Sequence, residues 1–121
     1  MIARDAPLLS ELEAGLAARD SRSLETLLSR RPVRDHELAE LIEVDARWRL
    51  DAGLPVTLDR YLSIVPDLDN RPVSLDAAIE FALRSLSGSS RPTTDAVRAL
   101  SIAHPALAVS IRNAAALSQG L

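Results

Sequence analysis

The stretch Leu41–Leu68, LIEVDARWRLDAGLPVTLDRYLSIVPDL, decides how the rest of the chain is read. Leu41, Ile42 (or Val44) and Trp48 recur with a helical period, and Gly53 followed by Pro55 supplies a firm stop. Thr57 then stands where a short helix needs a side-chain cap. Leu58, Tyr61, Leu62 and Val65 share one face until Pro66 ends the run. The stretch therefore predicts a long helix, a glycine turn and a short capped helix.

Working upstream, Asp35 is expected to cap the long helix, roughly His36 to Ala52, with Leu38 also inward. Before it, Ser23 caps a short helix from Leu24 to Arg30, where Leu24, Leu27 and Leu28 share a face, and Pro32 stops it. Ala6 to Arg19 forms an amphipathic first helix, with Leu8, Leu9, Leu12 and Leu16 inside and Glu11, Glu13 and Arg19 outside.

Downstream, a polar link from Asp67 to Val73 leads to Ser74, the expected cap of a helix from Leu75 to Leu86. Leu75, Ala78, Ile79, Phe81, Ala82 and Leu86 supply its buried face. Ser87 to Pro92 reads as a flexible loop. Thr94 caps Asp95 to Ala103, and Pro105 opens a last helix, Ala106 to Leu117, closed by Gly120. Nothing alternates as a strand would. The expected fold is all-α, a compact bundle of about seven helices in one domain over residues 1–121.

The chain repeats itself. Ser23-Leu24-Glu25 with Leu28-Ser29 and Pro32 parallels Thr57-Leu58-Asp59 with Leu62-Ser63 and Pro66, at a shift of 34. Ile42-Glu43-Val44 with Arg47 and Pro55 parallels Ile79-Glu80-Phe81 with Arg84 and Pro92, at a shift of 37. Leu62-Ser63-Ile64 parallels Leu100-Ser101-Ile102, at a shift of 38. The unit is a short capped helix, a proline and a longer helix, in copies near residues 23–55, 57–92 and 94–119. Periods in the thirties belong to stacked helix pairs that bury their apolar sides on one another.

Composition narrows the function classes. All 14 cationic residues are arginine, the net charge is −3 and aromatics make up 2%. An acidic chain with so few rings has neither the basic face nor the stacking platform of a nucleic-acid binder. No cysteine is present, which excludes thiol chemistry and fits a reducing compartment. No apolar run approaches membrane-spanning length. The expectation is a cytoplasmic protein without membrane insertion. From Ala99 onward the only formal charge is Arg112.

Chemistry-bearing residues are sparse. Asp35, His36 and Glu37 are consecutive at a helix start and do not face one another, and His104 adjoins no acidic cluster. No catalytic, cofactor-binding or metal-binding residue is expected, and no cofactor. Trp48 and Tyr61 flank one turn, either as a recognition pair or as core filling at that corner. Phe81, Leu41, Ile42, Leu62 and Ile79 are read as core. Arg47 and Arg49 form i,i+4 pairs with Glu43 and Asp45 on a solvated helix face, or else belong to a protein-docking surface with Arg60 and Arg112. The last helix is apolar nearly all round, so it is either central to the bundle or an interface.

At Leu41–Leu68 the sequence resembles a module that precedes the catalytic domain in planctomycete-type bacterial serine/threonine protein kinases. The matching residues are Leu41, Asp45, Trp48, Arg49, Gly53, Pro55, Thr57, Tyr61, Leu62, Pro66 and Leu68, and the likeness extends over roughly Asp35 to Pro105. Val65 departs from the usual aromatic before the proline, and the next copy has Arg98 or Ala99 where the tyrosine belongs. The kinase catalytic motifs are absent. The resemblance implies a non-catalytic interaction or regulatory module, with a kinase domain as partner. A free-standing, self-associating adaptor of the death-fold kind is the alternative, and a small ligand-binding bundle a third.

Overall fold

A computed structural model describes residues 6–30, 32–88 and 92–118. Among these all regular structure is helical and no strand occurs: α1 (Ala6–Ala17), α2 (Ser23–Arg30), α3 (Asp35–Asp51), α4 (Leu58–Ile64), α5 (Pro72–Ser87), α6 (Thr94–Ala103) and α7 (Ala108–Ser118), with 3-10 turns at Leu68–Asn70 and Pro105–Leu107. Gly120 and residues 89–91 of the loop expected at Ser87 to Pro92 lie outside the described residues, as does the side chain of Leu8.

The helix boundaries follow local chemistry. α3 ends in a Schellman motif: Gly53 has φ +74°, the Leu54 amide donates to the Arg49 carbonyl at 2.7 Å, and the Gly53 amide to Leu50 at 3.1 Å. Only a residue without Cβ takes that conformation without cost. α1 ends in the same bonding pattern, with Asp20 donating to Gly15 and Arg19 donating to Leu16. There an arginine, Arg19, carries the positive φ of 63°. Thr57 caps α4 by accepting from the Arg60 amide.

Four expected caps are corrected. Ser23 is the first residue of α2 rather than its cap, and its hydroxyl donates to the Asp20 carbonyl at 2.7 Å. Asp35 is the first residue of α3, and its carboxylate caps α5 instead, accepting from the Val73 amide at 3.0 Å and the Ser74 amide at 2.9 Å. Ser74 lies inside α5, which begins at Pro72, and its hydroxyl donates to Asp35 Oδ1 at 2.6 Å. The cap of α6 is Thr93 rather than Thr94, accepting from the Ala96 amide at 3.1 Å. Because Asp35 joins both helix starts, and Val56 beyond the end of α3 bonds Ser85 near the end of α5, α3 and α5 run parallel.

That parallel pair is the most extensive helix contact in the bundle, and α1, α4, α6 and α7 pack around it. Leu38, Leu41, Ile42 and Ala46 of α3 meet Leu75, Ala78, Ile79 and Leu83 of α5 in one continuous core. Matched repeat positions are equally buried: Ile42 and Ile79 are both 0% exposed. Gly15 lets α1 approach α2, since a Cβ there would stand 2.2 Å from Ser23 Oγ. Leu86, expected inside, is instead 54% exposed. α7 is peripheral, burying Ile111, Ala114 and Ala115 while Val109 and Leu117 face outward.

Candidate functional site

The corner between α2, α3 and α4 holds a buried ion cluster centred on Asp45. Asp45 is 0% exposed and follows Ile42 by three residues on α3, so its side chain enters the interior from the core-facing side. Arg49, one turn on, brings Nε to 3.2 Å from Asp45 Oδ2. From α4, Arg60 Nη1 lies 2.5 Å from the same oxygen, and the Tyr61 hydroxyl donates to it at 2.6 Å. Arg60 Nη2 reaches Glu25 of α2 at 2.6 Å, and both arginines donate to the Ser21 carbonyl.

The cluster is electrically closed: two guanidiniums face two carboxylates. Burial raises the Tyr61 hydroxyl pKa far above its ordinary value, and the Asp45 carboxylate beside it acts in the same direction. Tyr61 is therefore a neutral donor. Burial alone lowers the Arg60 pKa, but hydrogen bonding and attraction to Asp45 outweigh it and raise the net value. Assembling such a cluster contributes little net stability, because desolvation offsets the Coulombic gain. Removing one member is costly, since the remaining charges stay buried.

This geometry corrects the expected docking surface. Arg49 is 9% exposed and Arg60 is half-buried, so both are spent on holding helices together. The Asp45–Arg49 spacing reads correctly as an i,i+4 pair, but the pair lies inside the bundle. Arg47 is exposed, pairs with Glu43 at 2.7 Å and sits over the Phe81 ring at 6.0 Å. Its repeat counterpart Arg84 pairs with Glu80 at 3.0 Å and covers the same ring at 4.8 Å. Arg112 is exposed on α7, away from all of these, and has no ion pair among the described residues. Tyr61 fills the corner completely, whereas Trp48 and Leu62 are half-buried against the core.

Two open surfaces lie beside the last helix. Between α3, α5 and α7 runs a groove of about 510 Å3, with Ala39, Ala77 and Ala114 among its lining residues and Glu40, Glu43, Asp76 and Glu80 along it. Burial raises the Asp76 pKa, and the nearby Asp35 charge adds to the effect. The second surface is the passage from α6 to α7, where Ile102 is 73% and Val109 62% exposed; Leu117, also exposed, lines the groove. It was legible only as a missing charge pattern. His36 and His104 are far apart in use: His36 lines the groove, and His104 Nε2 lies 3.1 Å from Asp59 Oδ1. Among the described residues no cluster of His, Asp and Glu has the arrangement of a metal site, and no helix is long and apolar enough to cross a membrane.

Comparison with protein-family models, curated proteins and solved structures finds no match to this chain.

Proposed function

We propose that the chain is a non-catalytic helical protein–protein interaction or regulatory module, linked to bacterial serine/threonine kinase signalling and docking a kinase domain. The observation that carries this reading is the exposure of Ile102 and Val109 where α6 passes into α7, on a stretch whose only formal charge is Arg112. Large aliphatic side chains left open together mark contact surfaces. The interior arrangement supports it too, because the strongest electrostatic partners, Asp45, Arg49, Arg60 and Tyr61, are engaged with one another.

The test begins with the native mass of the protein in its source cell, read with an antibody against this chain. A band much heavier than 13.1 kDa whose peptides include kinase catalytic motifs supports the kinase link. Ile102→Asp with Val109→Asp should then change that kinase's activity without changing helicity. A band at 13.1 kDa with no kinase bound, or kinase activity indifferent to both substitutions, overturns it.

Charge segregation favours a second reading, a self-associating adaptor. α3 carries six acidic residues against two arginines, while Arg98 and Arg112 on α6 and α7 have no ion pair among the described residues. Mass that rises with concentration, and that falls back to the monomer in Arg98→Glu with Arg112→Glu, is the expected behaviour. A monomer at all concentrations sinks this reading.

A further inference from the structure

The internal repeat gives two corners of the bundle a residue-by-residue correspondence. A shift of 34 carries Glu25 to Asp59. A shift of 37 carries Asp45 to Ala82 and Arg49 to Leu86, and a shift of 38 carries Tyr61 to Ala99. The first set meets in the ion cluster. The second set also meets: Asp59, Ala82, Leu86 and Ala99 line one open cavity of about 200 Å3 between α4, α5 and α6. Where the first corner is filled by a phenol ring, two guanidiniums and two carboxylates, the second presents one carboxylate, two alanines and an outward leucine, and Arg98, the counterpart of Arg60, lies outside the lining.

The cavity opens to solvent, with Asp59, Leu86, Ala99 and Ala103 exposed along it. Its walls are tied to one another by polar contacts. The Val56 amide bonds Ser85 Oγ at 3.0 Å, fixing the start of α4 to α5. Thr93 caps α6 at its other end, and the His104–Asp59 contact at 3.1 Å spans α4 and α6. The lining is mainly apolar, with Leu58, Leu100 and Ala103 contributing, and the polar side chains are Thr57, Asp59 and His104.

We infer that this cavity is a binding site for one neutral aromatic ring bearing a hydrogen-bond donor, a phenol-type group that takes the place Tyr61 takes in the first corner. Apolar cavities of about 150 Å3 bind a benzene ring, so the volume suits a single phenol. Asp59 is exposed and offers a carboxylate acceptor to the ring's donor, as Asp45 does to the Tyr61 hydroxyl, and it repels an anionic ligand. The inference is independent of the kinase reading and concerns a different face from the groove.

The experiment titrates the full chain with p-cresol, the tyrosine side chain as a free molecule, while backbone amide resonances are followed by NMR. N-acetyl-tyrosinamide serves as the peptide-borne probe and 4-methylbenzoate as the anionic control. Saturable shifts centred on Ala82, Leu86, Ala99, Ala103 and His104 are expected, with p-cresol at least tenfold tighter than 4-methylbenzoate. Ala99→Tyr, which restores the ring within the chain, should weaken p-cresol at least tenfold. If that variant does not fold, Ala103→Leu tests the same space from the next turn. Binding of p-cresol alone assigns the site to a free small molecule, and binding of both neutral probes assigns it to a tyrosine side chain of a partner. Shifts that never saturate, that scatter over the bundle, or that survive the filling substitution unchanged overturn the proposal.

Discussion

Two corners of one repeat are closed by opposite means. Between α2, α3 and α4 the chain buries Asp45 among Arg49, Arg60 and Tyr61; between α4, α5 and α6 the corresponding positions are Ala82, Leu86 and Ala99 around open space. The long helices beside them are nearly the same length and share buried Ile42 and Ile79. Backbone shape therefore does not require the ions. What the ion cluster adds is geometric selectivity: Asp45 accepts from Arg60 and Tyr61 on one turn of α4, and Arg60 in turn must reach Glu25 of α2. The alanine corner imposes no such condition and leaves room.

The largest test removes the centre of the charged corner. Asp45→Ala leaves Arg49 and Arg60 buried without their shared carboxylate and should cost about 3–5 kcal/mol, read by chemical denaturation. Replacing the set together, as Asp45→Ala with Arg49→Leu and Arg60→Met, should recover at least half of that loss, since apolar replacement of a whole buried cluster is often close to neutral. If the triple variant is no better than Asp45→Ala alone, the two corners are not interchangeable and the comparison fails.

Tyr61→Phe is the next step down, removing one donor from Asp45 at a cost of about 1–3 kcal/mol. The same hydroxyl makes an alkaline prediction. Its folded pKa is raised, so its contribution to stability is complete below the ordinary tyrosine value of about 10 and is lost as pH rises beyond it. Tyr61 is the only tyrosine. Phenolate absorbance should therefore appear together with loss of helicity; absorbance rising while the helices persist would show that the hydroxyl is not sealed.

A smaller effect is expected at Gly15, behind the charged corner. An alanine Cβ there meets Ser23 Oγ at 2.2 Å, pushing away the loop that presents the Ser21 carbonyl to both arginines. Overpacking by about 1–3 kcal/mol is offset by about 1 kcal/mol of alanine's better helix propensity, leaving up to about 2 kcal/mol of destabilisation. A stabilised Gly15→Ala variant would show that α1 approaches α2 with slack. The smallest effect falls on what links the two copies. Asp35→Ala removes the cap of α5 and should cost about 1 kcal/mol. Burial works to raise the Asp35 pKa, but hydrogen bonds from Ser74 and Val73 outweigh it and lower the folded value. That contribution is therefore present above the ordinary carboxylate pKa and is lost as pH falls through the folded one. Wild type and Asp35→Ala should converge in stability in acid.

The legible parts of the fold are those decided within a few residues. Gly53 before Pro55 marks a real stop, and Thr57 before Leu58 is a real cap, because each interaction closes over one turn. Asp35 was expected to serve its own helix, since nothing local signals that its carboxylate reaches amides 39 residues away. Thr93 and Thr94 are adjacent and chemically alike, and only the entry angle of the chain chooses between them. The same limit applies to the candidate site. Asp45 and Arg49 have the spacing of a solvated pair, and the pair becomes interior only once Arg60 and the Ser21 loop close over it. The cavity was legible in principle, as the tyrosine missing from the next copy, but its walls come from three helices.

The Asp45 cluster also has a meaning in time. At a synthesis rate of about 5–20 residues per second, the 15 residues between Asp45 and Arg60 take roughly one to three seconds to be made. During that interval α3 can coil, but Asp45 and Arg49 have neither Arg60 nor Tyr61 to complete their desolvated shell, so water keeps the corner open. The charged corner therefore cannot close before α4 has been made, because Asp45 takes its donors Arg60 and Tyr61 from that helix.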